Sequence, residues 1–186
     1  MRRVWVVFCL VIFLLGCSSK AGSVEPGLLL RQKIKQGNGC SFDAIITADY
    51  GKVIYTFKLI CQSDALGNLS FTVAEPDSIA GVQGVIKDES GSLTFDDHVL
   101  AFEMLADNQI TPICAPWLFL KSVLSGYIRS CENKSDLIHL VIDDSFKEAE
   151  LQVDLYLKKD NIPVQADIMW NGKRIICLRV ENFTIL

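Results

Sequence analysis

Histidine and the usual patterns of catalytic sites are scarce in this chain. Its 186 residues include only two histidines, His98 and His139, and no Gly-x-Ser-x-Gly segment that would present a nucleophilic serine on a tight turn. The cysteines beyond residue 17 form no Cys-x-x-Cys pair and no cysteine–histidine spacing suited to zinc. Gly81 and Gly84 lack the pattern of a phosphate-binding loop. We therefore predict no enzyme activity, no cofactor and no metal site.

Basic residues are fewer than acidic residues. The chain has 18 Lys and Arg against 22 Asp and Glu, and the first 16 residues hold two of the arginines and no acid, which leaves the remainder a formal charge of −6. A surface of this sign disfavours nucleic acid as a partner and electrostatic docking on anionic lipid. Beyond residue 16, no apolar run approaches the ~20 residues needed to span a bilayer.

The one long apolar run lies at the start of the chain. Arg2 and Arg3 precede 12 apolar residues at 4–15, a length typical of a secretory signal, and Leu14-Leu-Gly-Cys17 ends the run. This segment resembles the lipobox of bacterial lipoproteins. The resemblance implies cleavage before Cys17, lipidation of Cys17 with fatty-acyl chains such as palmitate, and attachment to a membrane. The alternatives are an ordinary signal peptide or a short buried helix.

Two alternating segments follow a short helix predicted at 28–35. Residues 40–49 and 53–61 each alternate apolar and polar residues on either side of Tyr50-Gly51, which predicts a β-hairpin. With the turn centred on this pair, Cys40 falls opposite Cys61, within reach of a disulfide. We therefore predict a Cys40–Cys61 disulfide, the alternative being two buried thiols. Five cysteines follow Cys17, so at least one thiol stays unpaired within the chain.

Further strands and one apolar helix fill the rest of the chain. Strands are predicted at 69–73, 79–87 (or a bulged loop), 93–95 and 98–105, a helix at 117–130, and then strands at 137–142, 150–158, 163–170 and 173–183. Sequential antiparallel strands predict an α+β, mainly β fold, with one large curved sheet covered by a few helices. The predicted division is a signal peptide at 1–16, a lipidated tether at 17–27 and one domain at 28–186.

The order and spacing of these segments resemble the LolA/LolB-like fold of bacterial lipoprotein carriers. The resemblance rests on the hairpin at 42–59, on Phe71-Thr-Val-Ala-Glu-Pro-Asp, on the apolar helix after Pro116, and on the closing segments 162–173 and 180–183. It implies an unclosed antiparallel half-barrel, covered by helices, with an apolar cavity that binds acyl chains of a lipid or lipoprotein. Among anchored members the chain resembles the germination lipoprotein GerS type more than LolA. That resemblance implies a non-enzymatic protein that recruits or activates an envelope or spore-cortex enzyme.

Large apolar side chains supply the candidate ligand site. Seven are predicted to line a cavity between sheet and helices: Phe42, Tyr55, Phe57, Phe71, Phe95, Trp117 and Leu120. The alternative is that the same side chains fill a core, since both arrangements need the same residue types. The paired carboxylates at 96–97 and 143–144 are interpreted as turns, because neighbouring strand residues point to opposite faces.

The expected location is the cell envelope. A lipid on Cys17 would hold the domain on the outer face of the cytoplasmic membrane, or on the outer membrane of a two-membrane bacterium, for which Ser18 resembles the sorting signal. The expected partners are the membrane, a lipid or lipoprotein ligand, and an envelope protein.

Overall fold

The computed structural model describes residues 23–87, 90–96, 98–106, 109–144 and 150–186. The predicted signal peptide and Cys17 lie outside this range. The helices are α1 (Glu25–Gln36) and α2 (Ala115–Ser125), and 3₁₀ turns lie at Asp77–Ile79 and Pro112–Cys114. The strands are β1 (Cys40–Asp49), β2 (Ile54–Ser63), β3 (Leu69–Glu75), β4 (Gln83–Lys87), β5 (Ser90–Phe95), β6 (His98–Glu103), β7 (Leu105–Ala106), β8 (Gln109–Ile110), β9 (Tyr127–Lys134), β10 (Leu137–Asp143), β11 (Leu151–Lys158), β12 (Pro163–Trp170) and β13 (Lys173–Ile185).

Eleven of these strands form one antiparallel sheet. Their order is β6-β5-β4-β3-β2-β1-β13-β12-β11-β10-β9, and β7 and β8 form a separate small hairpin. Strands β6 and β9 are the two edges, so the sheet is open rather than closed into a barrel. The predicted mainly β fold, with a large open antiparallel sheet and few helices, is confirmed.

Both helices cover the same face of the sheet, which we call the inner face. Strand β1 alternates buried and less buried residues along its length, so one side of it faces a core. Helix α2 contacts α1, β10, β12 and β13, and Leu118, Phe119 and Leu120 within it have no exposed surface. The Phe119 ring meets Phe42 of β1 edge-on, with centroids 5.6 Å apart. The core therefore lies between α2 and the inner face.

Helix α1 is tied to the end of α2 by Arg31. Its Nε donates to the carbonyl oxygen of Val123 and its Nη2 to that of Gly126, each at 2.6 Å. Carbonyls in the last turn of a helix have no partner within the helix, so Arg31 satisfies groups that α2 leaves open. Among the described residues, no helix is both long and apolar enough to cross a membrane.

The predicted register of the first hairpin is wrong by two residues. The turn centres on Gly51-Lys52, where Tyr50 N–H donates to the Val53 carbonyl oxygen at 3.1 Å, and Gly51 adopts a φ of +84°. Cys40 therefore lies opposite Ser63, and Cys61 lies opposite Phe42. Both cysteines are free, buried thiols in the structure, so the expected Cys40–Cys61 disulfide is corrected. A shift of two residues keeps every side chain on its predicted face.

Both predicted helices have different ends in the structure. Helix α1 begins at Glu25 with Pro26 in its first turn, a position where a missing N–H costs nothing, so the helix starts three residues before the predicted position 28. Helix α2 ends at Ser125 and Gly126 is extended. The last residues of the helix predicted at 117–130 instead begin β9, an edge strand.

Candidate apolar binding site

The structure divides the seven predicted cavity residues into two groups. Phe42, Phe71, Trp117 and Leu120 are buried. Tyr55 and Phe95 are 46% and 56% exposed, and Phe57 is half-buried against the core. The buried group belongs to the core under α2, whereas the exposed group lies on the part of the inner face that the helices leave uncovered.

An aromatic stack forms one part of this uncovered surface. The Tyr55 and Phe57 rings are stacked with centroids 6.4 Å apart, and Tyr50 meets Tyr55 edge-on at 6.3 Å. The Tyr50 hydroxyl donates to the carbonyl oxygen of Ile110, which ties the segment after β6 to the end of β1. Burial is the main cause that raises the pKa of Tyr50 to about 12, so this hydroxyl keeps its proton at neutral pH.

The hairpin of β5 and β6 carries a second apolar area, which we call the hairpin patch: Leu93, Phe95 and Leu100. Leu93 pairs directly with Leu100 across the two strands, and Leu100 is 66% exposed. The cross-strand pairs Phe71–Gly84 and Gly84–Leu93 place the patch on the inner face. A groove of about 420 Å³ borders Phe95 and is lined also by Gly81, Gln83, Thr94 and Asp96.

A separate groove of about 440 Å³ lies beside α2, and we call it the turn groove. It is lined by Lys35, Ala65, Leu66, Gly67, Asn68, Trp117, Lys121, Leu124 and Ser125. Trp117 is the one predicted site residue that lines it. Leu66, Lys35 and Lys121 were not among the predicted residues, because nothing in the sequence indicates that the β2–β3 turn lies beside α1 and α2. Gly67 and Asn68 are residue types typical of a turn, but they carry no information about which helices the turn packs on.

The polar candidates differ in their surroundings: Asp144 is hydrogen-bonded, Asp96 lies in a turn, and the buried His139 Nε2 has no hydrogen-bond partner among the described residues. Asp144 accepts a hydrogen bond from Ser122 Oγ at 3.0 Å and lies 3.9 Å from Lys121 Nζ. Asp96 lies in the turn after β5 with a φ of +49°. Buried His139 stacks on Tyr156 with centroids 4.8 Å apart, and its Nε2 is 3.6 Å from Asp154 Oδ2. In the part of the chain that the structure describes, no three His, Cys, Asp or Glu residues are grouped to hold a metal ion.

The buried cysteines are poor nucleophiles. Burial raises the pKa of the Cys40 thiol to about 11 and that of the Cys114 thiol to about 12. Burial also raises the pKa of Cys61. Since the thiolate is the reactive form, these side chains behave at neutral pH as small apolar groups.

Comparison with known proteins finds similarity among solved structures. No protein-family model matches the chain, and no curated protein matches it. A DUF1329 family protein from Desulfovibrio piger aligns over 87% of this chain and 92% of its own, with 11% identity and a TM-score of 0.49. A LolA superfamily protein from Nitrosomonas europaea aligns over 86% and 93%, with 9% identity and a TM-score of 0.43. The lipoprotein LppX from Mycobacterium tuberculosis aligns over 87% and 96%, with 11% identity and a TM-score of 0.41. These neighbours lend no support to the nearer resemblance to the GerS type.

Proposed function

We propose that the protein is an envelope lipoprotein that binds acyl chains of a lipid or lipoprotein on the uncovered part of its inner face. The observation that supports the proposal is the hairpin patch together with the aromatic stack. Large apolar side chains left exposed on one face are typical of a binding surface rather than of a core. Tyr55, Phe95 and Leu100 are each at least 46% exposed on the face that elsewhere carries the core.

The driving force would be burial of apolar surface. Each buried methylene contributes about 0.8 kcal/mol, so eight methylenes laid on this surface would contribute roughly 6 kcal/mol before the entropic cost of binding. Because Leu93, Phe95 and Leu100 are apolar, binding on them would depend on chain length more than on salt.

The experiment compares two neighbouring residues of β6 that point to opposite faces. Leu100 belongs to the hairpin patch, whereas Val99 is 70% exposed on the outer face. The protein is purified from the bacterium's own envelope and its bound mass is read by native mass spectrometry. We expect a lipid mass that Leu100→Ser and Phe95→Ser reduce severalfold and Val99→Ser leaves unchanged. A clean apo mass, or equal losses in all three variants, would contradict acyl binding at this patch.

The anchor is a separate part of the proposal. Its support is the order of Arg2-Arg3, the apolar run and Cys17. Growth with a clickable palmitate analogue is expected to label the chain, and Cys17→Ala is expected to abolish the label and release the protein from membranes. Cys177→Ala is the matched control. Labelling that survives Cys17→Ala would overturn the lipidation site.

A protein partner is the second candidate function, and edge strand β6 favours it. Within the described residues, strand β6 pairs with β5 alone, so most of one row of its N–H and C=O groups is open to an added strand, the Glu103 carbonyl oxygen being taken by Thr111 Oγ1. A photo-crosslinker at Val99 is expected to give one discrete adduct with an envelope protein, while a crosslinker at exposed Tyr127 on β9 gives none. Equal or absent adducts at both sites would exclude a partner at β6.

A further inference from the structure

We propose that the anchored protein rests one end of its sheet on the bilayer, with exposed apolar side chains in the interfacial layer of the membrane. This is the end at which α1 and β9 begin and β1 turns into β2, and we call it the anchor-side end. The proposal rests on the anchor at Cys17 in the proposed function, but not on acyl binding at the inner face. The partner is a lipid surface of neutral headgroups.

Side-chain contacts and strand pairings show which elements meet at this end. A Cβ on Gly27 would lie 2.7 Å from Ile128 Cδ1, so α1 begins beside the start of β9. A Cβ on Gly37 would lie 2.6 Å from Ile185 Cγ2, so α1 ends beside the end of β13. Antiparallel pairs carry the start of β9 across the sheet to the β1–β2 turn: Tyr127–Asp143, Asp143–Gln152, Leu151–Trp170, Trp170–Lys173, Ile176–Ala48 and Asp49–Ile54. The start of α1, the start of β9 and the β1–β2 turn therefore lie at the same end.

Large apolar side chains are exposed on all three of these elements. They are between 37% and 72% exposed: Val24, Leu28, Leu29, Val53, Ile54 and Tyr127. The Leu28 N–H donates to the Val24 carbonyl oxygen at 3.3 Å, so these two residues are one turn apart on the same side of α1. A tyrosine ring with a polar hydroxyl is typical of a membrane interface. Exposed apolar side chains grouped in this way are typical of a surface that a partner or a membrane covers.

The β1–β2 turn is held in the shape that presents Val53 and Ile54. The Asp49 carboxylate accepts the Gly51 N–H at 2.7 Å. Because neighbouring strand residues point to opposite faces, Ile54 lies on the outer face and Tyr55 on the inner face. Lipid that contacts Ile54 is therefore not lipid bound on the inner face.

The opposite end of the molecule has a different surface. Its β9–β10 and β11–β12 turns are charged and contact each other, with Lys159 Nζ 3.4 Å from Asp136 Oδ1. It also exposes Ile185, Leu186 and Leu66, the last to 87%. Apolar exposure alone therefore does not separate the two ends, and the position of the anchor does.

The anchor selects both the bilayer and the end that meets it. Ser23 follows Cys17 by six residues, so a lipid on Cys17 holds Ser23 within about 20 Å of the bilayer surface. The end of α1 lies roughly 18 Å farther along its 12 residues. Attachment through a short tether gives the nearer end a high effective concentration at the membrane, so weak apolar contacts are enough to hold it there.

Charge does not select the kind of headgroup. Acidic Glu25 and basic Lys52 stand in the same two segments as the exposed apolar side chains, and the chain as a whole is acidic, with a net charge of −4. Contact therefore depends on apolar burial in the interface rather than on attraction to anionic lipid. We expect docking on neutral lipid with little dependence on salt.

Contact at this end would also bring the proposed acyl site close to the bilayer. Strands β1, β3 and β5 run in the same direction in the antiparallel order of the sheet, so Phe95 at the end of β5 lies toward the anchor-side end. An acyl chain leaving the bilayer here would have a short path to the hairpin patch.

The test places a photo-crosslinking amino acid at single positions of the full lipidated chain, purified from the bacterium's own envelope. The protein is reconstituted into phosphatidylcholine vesicles that contain an alkyne-tagged phosphatidylcholine. Flotation of the vesicles selects anchored protein, and the alkyne measures lipid crosslinked to it. A crosslinker in place of Ile54 or Leu28 is expected to give roughly fivefold more labelled protein than one in place of Leu66, because only the anchor-side end enters the interface. Raising the salt concentration is expected to leave the labelling unchanged.

Leu66 is the matched control, because it is more exposed than Ile54 and lies at the opposite end. Leu28→Asp is expected to lower the labelling at Ile54 about threefold, since both residues rest on the same membrane, and Leu66→Asp is expected to leave it unchanged. Flotation with equal labelling at Ile54 and Leu66, or a protein adduct at Ile54 in place of lipid, would overturn the docking and leave the anchor intact. Protein that does not float would overturn the anchor and the docking together.

Discussion

Two glycines of the sheet are each covered by an aromatic ring at the directly opposite position. A Cβ on Gly84 would lie 2.1 Å from the ring of Phe71, and one on Gly91 would lie 2.1 Å from the ring of Phe102. Both pairs are cross-strand partners. Because glycine has no side chain, each ring can lie flat on the backbone of the opposite strand. The two rings lie at the boundary between the buried core and the uncovered part of the inner face.

This contact predicts a stability effect that depends on the ring. We expect Gly84→Ala to destabilise the fold by about 1–3 kcal/mol, since an added methyl overpacks a filled site. In a Phe71→Leu background the same change is expected to cost less, because the smaller side chain leaves room for the methyl. Urea unfolding of the four proteins in this double-mutant cycle gives the coupling energy. Equal costs in both backgrounds would mean that Phe71 does not decide the residue at position 84.

The thiols allow a second test at the level of single residues. Burial is the largest cause that raises the pKa of Cys177 to about 11, but this thiol is partly exposed, whereas Cys40 and Cys61 are buried. At pH 8 we expect a brief alkylation to modify Cys177 first, and Cys40 and Cys61 only after unfolding.

Peptide mapping with and without a reductant completes this test. Denaturation alone, without a reductant, should make Cys40 and Cys61 fully reactive. If they react only after reduction, a disulfide joins them and the free thiols of the structure are wrong.

Because the folded Cys40 thiol holds its proton more tightly than an unfolded one, its ionisation should weaken the fold only as the pH rises from the ordinary value of 9.0 through about 11.

At the scale of elements, the faces of the first hairpin could be predicted and its register could not. Faces follow from a period of two along each strand, which the sequence shows directly. Register depends on which residues form the turn, and the Asp49 side chain decides this by accepting the Gly51 N–H at 2.7 Å. The predicted register places Asp43 directly opposite Lys58. In the observed register Asp43 lies opposite Ile60, yet Lys58 Nζ is 3.4 Å from Asp43 Oδ2, so this charge pair fits both registers.

The boundary between α2 and β9 was missed for a related reason. Ile128 continues the helical spacing of Leu124, so the apolar pattern favoured one longer helix. Gly126 is extended instead, and a Cβ there would lie 2.5 Å from Ile142 Cγ2 of β10. Contact with a strand distant in sequence therefore ends the helix, and a local pattern carries no information about such a contact.

Arg31 links α1 to the end of α2, and this link predicts a stability effect. Its guanidinium donates to two carbonyl oxygens at the end of α2, and hydrogen bonds to charged groups contribute about 1.5–3 kcal/mol. We expect Arg31→Met to lower the free energy of unfolding by roughly that amount and to speed hydrogen exchange at the end of α2. The exposed neighbour Gln32→Met serves as the control. No change in exchange at the end of α2 would show that Arg31 does not hold the two helices together.

At the scale of the whole molecule, the sheet is longer than its helical cover. Helix α2 contacts β10, β12 and β13, whereas the β5–β6 hairpin extends the sheet on the other side of β1. The sequence predicted a large open sheet with few helices, but not which strands the helices leave uncovered. Composition cannot decide this, because Phe42 in the core and Phe95 on the uncovered hairpin are the same residue type in similar alternating strands.

The uncovered edge predicts the behaviour of the whole protein in solution. Strand β6 exposes Val99 on one face and Leu100 on the other, and no lysine or proline interrupts it, so little opposes pairing with another strand. The opposite edge strand, β9, carries Arg129, Glu132 and Lys134, whose charges protect it from pairing with another strand.

We therefore expect self-association through β6 that increases with protein concentration in light scattering and sedimentation velocity. Val99→Lys should weaken it at least tenfold, since pairing would then bring two like charges together, whereas Glu132→Lys on β9 should not. A monomer at every concentration, or equal effects of the two changes, would show that β6 is protected by something other than its own side chains.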